Sequence, residues 1–287
     1  MVAIQVDSFI KSYGTNTVIK GISFDVNHGE IFALLGINGA GKTTTLECIE
    51  GLRKYEKGHI KVDGKIGVQL QSSSLPPNIK AYEAIQLFSK WSKTPVDHDM
   101  THSLGLDDIK NKQYQTMSAG QKRRLHLALA LIGNPDIIFL DEPTAGLDVE
   151  GRVALHQEIR NLKAKGKTII MASHDMAEVE ELCDRIAILK DGEIVFIGTA
   201  IELTSRVQSQ KKILLKTSIP LNRLDFTHCV FIEEEQGYQY FTADNIGDAL
   251  VELLDRAKEL TSIVLDVRIE HASLEQSFID VSKERRI

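Results

Sequence analysis

The chain has 287 residues, 43% hydrophobic and 26% charged, which excludes fibrous and intrinsically disordered classes and suits one large domain or two modest ones. With 34 Lys and Arg against 40 Asp and Glu the net charge is -6, so the surface is not built to collect phosphodiester backbone, and nucleic acid is not an expected partner. The longest apolar runs, at 127–132 and 137–140, fall far short of the roughly 20 residues of a membrane-spanning helix. The first residues, MVAIQVDSFI, lack the pattern of a signal peptide, so a soluble chain that stays inside the cell is expected. Cys48, Cys183 and Cys229 are odd in number and form no CxxC pair, and they read as reduced thiols.

Residues 3–6, 22–26 and 31–35 read as strands, the last a continuous apolar run of the kind buried on both faces. It leads into Gly36, Ile37, Asn38, Gly39, Ala40, Gly41, Lys42 and Thr43, which match GxxxxGK[ST] between a strand and a helix expected to run to Glu50. The glycines let successive backbone N–H groups turn inward as an anion nest, and the helix N-terminus adds about half a positive charge. Lys42 can reach the β- and γ-phosphates of a nucleotide, and the Thr43 hydroxyl is placed to ligate Mg²⁺. Thr44, next in the same turn, is counted with the phosphate-binding set. Alone, the motif specifies nucleoside triphosphate binding, which kinases, GTPases, motors and transporter ATPases share.

A short hairpin is expected around 62–66, then a polar, proline-containing segment at 71–78 without regular structure. The spacing of Ala84, Ile85, Leu87, Phe88 and Trp91 predicts a helix, and a second runs from about Gln121 to Ile132. Asp97, His98, Asp99 and His102, between them, read as a solvated polar segment rather than a metal cluster, because no further ligand is arranged with them. The second helix opens with Ser118, Ala119, Gly120 and Gln121, the S-x-x-Q spacing of a capping box and a second anion-attracting helix end. Read in isolation, simple capping accounts for it equally well.

Strand 136–140 delivers Asp141 and Glu142 at its C-terminal end. Side chains alternate along strands, so the two acids have different jobs: Asp141 suits a Mg²⁺ shell, and Glu142 suits orienting or deprotonating a water. Helix 153–164, strand 168–172, helix 177–183 and strand 185–189 continue an alternation that predicts an α/β fold with a parallel sheet. Beyond about 204 the pattern changes to short strands at 213–215, 230–232 and 238–242, a helix at 246–260, a strand at 263–269 and a terminal helical segment. The polar stretch SRVQSQKK places a boundary near Arg206 and predicts two domains, 1–205 and 206–287, the second a small α+β unit.

Over residues 1–205 the ordered set of motifs resembles the nucleotide-binding subunit of ABC transporters, with a P-loop NTPase core and a helical subdomain at about 72–134. Gly36 to Thr43 resembles the Walker A loop, Gln71 the Q-loop glutamine, and Met117 to Gln121 the LSGGQ signature, with Met117 and Ala119 where Leu and Gly are usual. Residues 137–142 resemble Walker B, Ala145 to Asp148 the D-loop, His174 the switch histidine, and Tyr13 the aromatic that stacks on adenine. The resemblance implies ATP and Mg²⁺ as ligands and a head-to-tail dimer with a second, identical or different, ATPase subunit. In that dimer Ser118 and Gly120 meet the γ-phosphate held by the partner, with Ala119 and Gln121 in the same nucleotide-binding set, and Asp148 helps couple the two sites. Gln71 approaches Mg²⁺ and the attacking water, His174 contacts the γ-phosphate, and 72–78 senses separate membrane permease subunits. It further implies a cytoplasmic location against the inner face of the membrane. Residues 273–278, SLEQSF, resemble the end of export-type ATPases. Two other classes stand beside this reading: a nucleotide-gated switch acting on a ribosome, DNA or an assembly machine, and a regulatory module holding ATP only structurally. The presence of both Glu142 and His174 argues against the latter.

Overall fold

Alternating burial carries the chain's opening into two long strands, β1 (Val2–Tyr13) and β2 (Asn16–Asn27), paired antiparallel. The computed structural model describes residues 1–69, 75–207, 211–222, 224–270, 274, 275 and 278. The chain divides into two compact units, Met1–Ala200 and Ile201–Ile287.

In the first unit β3 (Ile31–Leu35), buried at every position, runs into α1 (Lys42–Ile49) through the glycine-rich loop. Next come β4 (Lys57–Val62) and β5 (Ile66–Gln69), then α2 (Ala81–Trp91), α3 (His98–Ser103) and α4 (Ala119–Leu131). The expected hairpin at 62–66 is absent. β4 pairs antiparallel with β1, while β5 pairs parallel with β6 (Ile137–Asp141), so the chain crosses between sheets at Asp63–Lys65. The crossing is tied at both ends: the Asp63 amide donates to the Ala3 carbonyl, and the Lys65 amide donates to Asp136.

After β6 come α5 (Val149–Ala164), β7 (Thr168–Ser173), α6 (Met176–Leu182), β8 (Arg185–Lys190) and β9 (Glu193–Gly198). The main sheet has six strands in the order β5-β6-β7-β3-β8-β9, all parallel except β9, which returns antiparallel on β8. A second sheet, β2-β1-β4, lies across α1. One core joins them, with Phe9 and Phe24 from the small sheet, Leu46 and Ile49 from α1, and Phe32 and Phe139 from the large one. β3, β6 and β7 are buried at every position because they sit inside a sheet covered on both faces.

The second unit starts with α7 (Ala200–Val207), whose first residue still belongs to the first unit. It contains β10 (Lys211–Thr217), β11 (Val230–Glu235), β12 (Tyr238–Ala243), α8 (Ile246–Glu259) and β13 (Val264–Glu270). The antiparallel sheet has the order β11-β12-β10-β13. Ile213, Leu215 and Phe241 form its core with Ala249, Leu253 and Ala257, which recur four residues apart along α8. The three cysteines are free thiols; burial pushes the pKa of Cys48 and Cys229 up to about 11 and raises that of Cys183 well above the ordinary thiol value.

Candidate functional site

The loop from Gly36 to Gly41 is shaped by what glycine omits. A Cβ on Gly36 would lie 2.5 Å from the Leu189 carbonyl oxygen, and Gly41 caps α1 at φ +105°, a conformation side chains rarely adopt. No side chain caps α1, so its first N–H groups face the cleft unspent. Lys42, 7% exposed, folds back so that its ammonium donates to the Gly36 carbonyl at 2.7 Å and lies 3.9 Å from Glu142 Oε1. Burial lowers its pKa, against the opposing pull of Glu142 and Asp141.

Asn38, Gly39, Gly41, Lys42, Thr43, Thr44 and Glu142 line one open cleft of about 350 Å³ with Val18 of β2. Val18 had no signal in the sequence, where it is one residue of an alternating strand. Ile37, 63% exposed, stands at the tip of the loop, and the Ala40 amide closes the turn on its carbonyl. The Thr43 hydroxyl donates to Asp141 Oδ2 at 2.9 Å, whereas the buried Asp141 Oδ1 has no partner. Burial raises the pKa of Asp141, Thr43 opposes that rise, and the neighbouring Glu142 adds to it. A hydroxyl and an unspent carboxylate oxygen side by side are hard oxygen donors, a set that fits Mg²⁺.

Glu142 sits one residue past the end of β6 at φ +50°. Its amide donates to the Ala172 carbonyl, and Oε2 lies 2.6 Å from His174 Nδ1. The C-terminal ends of β3, β6 and β7 thus bring Lys42, Asp141, Glu142 and His174 together, where parallel α/β sheets bind their ligands. At the C-terminal cap of α1, Glu50 carries a buried, unpartnered Oε2, and burial, with Asp141 adding, pushes its carboxyl up to about 7.

Ser118, Ala119, Gly120 and Gln121 lie elsewhere. With Gly146, Leu147, Asp148, Arg123 and Arg124 they line a separate open cleft of about 430 Å³. Here the Ser118 hydroxyl accepts from the Gln121 amide at 3.3 Å and Gln121 Oε1 accepts from the Ser118 amide at 3.1 Å, the reciprocal capping box. Asp148 caps α5 by accepting from the Gly151 amide at 2.8 Å. Tyr13 closes β1 with its ring 43% exposed, and the Lys11 ammonium lies 5.0 Å from its centroid, but it lines neither cleft. Gln71 lies outside the described residues.

The "ABC transporter" family model matches residues 19–145. The linearmycin resistance ATP-binding protein LnrL of Bacillus subtilis (strain 168) is 31% identical, across 97% of this chain and 98% of that protein. A Nod factor export ATP-binding protein I of Paraburkholderia xenovorans (strain LB400) is 36% identical, across 68% of this chain and 70% of its own length. Among solved structures, an ATP-binding subunit of an ABC transporter overlays with a TM-score of 0.64 at 24% identity, covering 71% of this chain and 92% of that one, a likeness of fold. The chain belongs to the ATP-binding proteins of ABC transporters, and it is an ABC-type ATPase.

Proposed function

We propose that the chain hydrolyses ATP between two subunits to drive export through separate membrane subunits, working at the cytoplasmic face of the membrane. The observation that carries the reading is the split of the machinery into two clefts. One holds Lys42, Thr43 and Glu142, with Asp141 hydrogen-bonded to Thr43; the other holds Ser118, Gly120 and Asp148 and lacks the glycine-rich loop and its lysine. Two half-sites of this sort fit a head-to-tail pair, in which each phosphate cradle faces the partner's Ser118 helix end.

In this reading the backbone amides of Gly39 to Thr44 and the Lys42 ammonium bind the β- and γ-phosphates, and Tyr13 stacks on adenine. Thr43 and Asp141 would hold Mg²⁺, with Gln71 nearby; when bound, the ion neutralises charge on the phosphate oxygens. Glu142 orients and deprotonates the attacking water, and His174, 2.6 Å from it, fixes its carboxylate and contacts the γ-phosphate. Ser118, Ala119, Gly120 and Gln121 complete the partner's site, and Asp148 couples the two. Residues 1–205 are the nucleotide-binding domain, with a helical subdomain at about 72–134 and the segment 72–78 assigned to sensing the membrane partner, and 206–287 form an accessory domain. Export draws support from the relatives named for linearmycin resistance and Nod factor export.

Glu142→Gln tests the reading. It keeps the shape but loses the base, so turnover in a phosphate-release assay should fall about 10²- to 10⁴-fold while MgATP still binds. With hydrolysis blocked, the variant should elute as an ATP-dependent dimer in size-exclusion chromatography with light scattering. Wild-type turnover removes Glu142 from its role, and a monomer under all conditions removes the homodimeric sandwich.

A further inference from the structure

Beneath Glu142 and His174 lies a buried polar cluster to which the steps above assign nothing. Its centre is Glu178 of α6, only 2% exposed. Its Oε2 accepts from the Ser173 hydroxyl at 2.7 Å, and the Thr144 side chain is a second hydrogen-bond partner. The Ser173 hydroxyl in turn accepts from the Asp175 amide at 3.0 Å, and the Glu178 amide donates to Asp175 Oδ1 at 3.1 Å. These bonds close a ring around His174, the one residue between Ser173 and Asp175, whose imidazole is left 58% exposed. Thr144 lies two residues after Glu142, so a single carboxylate grips both loops that carry the reacting groups.

Helix α5 braces the same cluster. Arg152 reaches Asp175 at 2.9 Å, and His156, 3% exposed, places Nδ1 2.9 Å from Glu181 and Nε2 3.6 Å from Glu178 Oε1. Neither His156 Nε2 nor Glu178 Oε1 has a hydrogen-bond partner. A carboxylate at this depth is costly unless hydrogen bonds and charge partners compensate it, because a buried charge loses its hydration.

We propose that Glu178 is a positioning residue for hydrolysis: by tying the Ser173–Asp175 loop to Thr144 it fixes the approach of His174 to Glu142. The inference rests on the roles proposed for those two residues. A shift of about 1 Å in a reacting group costs up to roughly 10²-fold in rate, so Glu178→Ala should lower kcat about 10- to 100-fold. MgATP affinity, measured by calorimetry, should stay unchanged, because no phosphate contact is lost. Glu178→Gln should restore most of kcat, since the amide oxygen still accepts from Ser173 and Thr144. On a His174→Ala background, Glu178→Ala should cost nothing further, because the group it positions is gone.

Wild-type kcat in a folded Glu178→Ala, a Gln variant no better than Ala, or an undiminished loss on the His174→Ala background each overturns the proposal. Should Glu178→Ala fail to fold by circular dichroism, Ser173→Ala removes two hydrogen bonds, to Glu178 and from the Asp175 amide, and no charge. It should lower kcat by a smaller factor at unchanged affinity, and wild-type kcat there overturns the proposal. If Glu142→Gln and His174→Ala themselves keep full turnover, the reading of the site fails and takes this inference with it. Loss in those two variants with none in Glu178→Ala overturns the positioning role alone.

Discussion

Helices α1 and α4 both point their N-termini at a cleft, yet they are built in opposite ways. α1 begins at a left-handed glycine with no side-chain cap, has no basic residue in its last turn, and ends against Glu50, an acid at the end where the helix dipole disfavours one. α4 begins with a complete capping box, in which the Ser118 and Gln121 amides are already satisfied by each other's side chains. As a helix α1 is the poorer design; as an anion receptor it is the better one, because its orphan amides and Lys42 stay available. The cap of α4 is made without a ligand, and its end also presents a hydroxyl and a residue without a side chain.

The deepest cut at this contrast is Lys42→Ala, which removes the cation from the cradle. Charge-assisted contacts of this kind contribute roughly 1.5 to 3 kcal/mol, so MgATP affinity should fall about 10- to 150-fold by calorimetric titration. Unchanged affinity would show that the amides of α1 suffice alone.

Glu50 tests whether α1 carries a stability cost. Its carboxyl is raised from an ordinary 4.5 to about 7, so the folded state favours the protonated form. The stability this contributes is fully present below the unfolded value and is lost as pH rises through about 7. Glu50→Gln should therefore be more stable than wild type by roughly 1 to 3 kcal/mol in urea unfolding near pH 8, and nearly equal to it near pH 4. Equal differences at both pH values would contradict the buried carboxyl.

Ser118→Ala should cost about 1 kcal/mol of stability through the lost cap, yet leave MgATP affinity of the lone chain unchanged. Weaker ATP binding by the lone chain would mean that the two clefts are not separate. The smallest expected effect comes from ending the chain after Ser205: the shortened protein, if folded by circular dichroism, should bind MgATP as the full chain does. Lost binding would draw the second unit into the cradle.

The cradle was legible because its determinants are contiguous: eight residues set the turn, the amides and the cation, and the next apolar strand ends in two acids. Pairing between distant strands was not. Asp63-Gly64 looked like the hairpin signal but marks a crossing between sheets, since the partners of its flanking strands, β1 and β6, are far away in sequence. Asp191-Gly192 is the true hairpin, both residues at positive φ, and it joins β8 to β9, a strand the sequence reading passed over. Glu178 was invisible for a related reason. One acid among several in a short helix gives no sign of its burial, which is set by Ser173, Thr144 and α5 closing over it.

The left-handed backbone of Glu142 sets folding against activity at a single position. Non-glycine residues at φ near +50° cost on the order of 1 kcal/mol or more, and glycine or asparagine relieves it. A library randomised at residue 142 and sorted only for heat resistance should therefore enrich glycine and asparagine, and the same library sorted for turnover should return glutamate. Selection for robustness and selection for catalysis would pull this residue apart, which makes position 142 a place where an artificially stabilised chain would drift toward a silent ATP-binding protein.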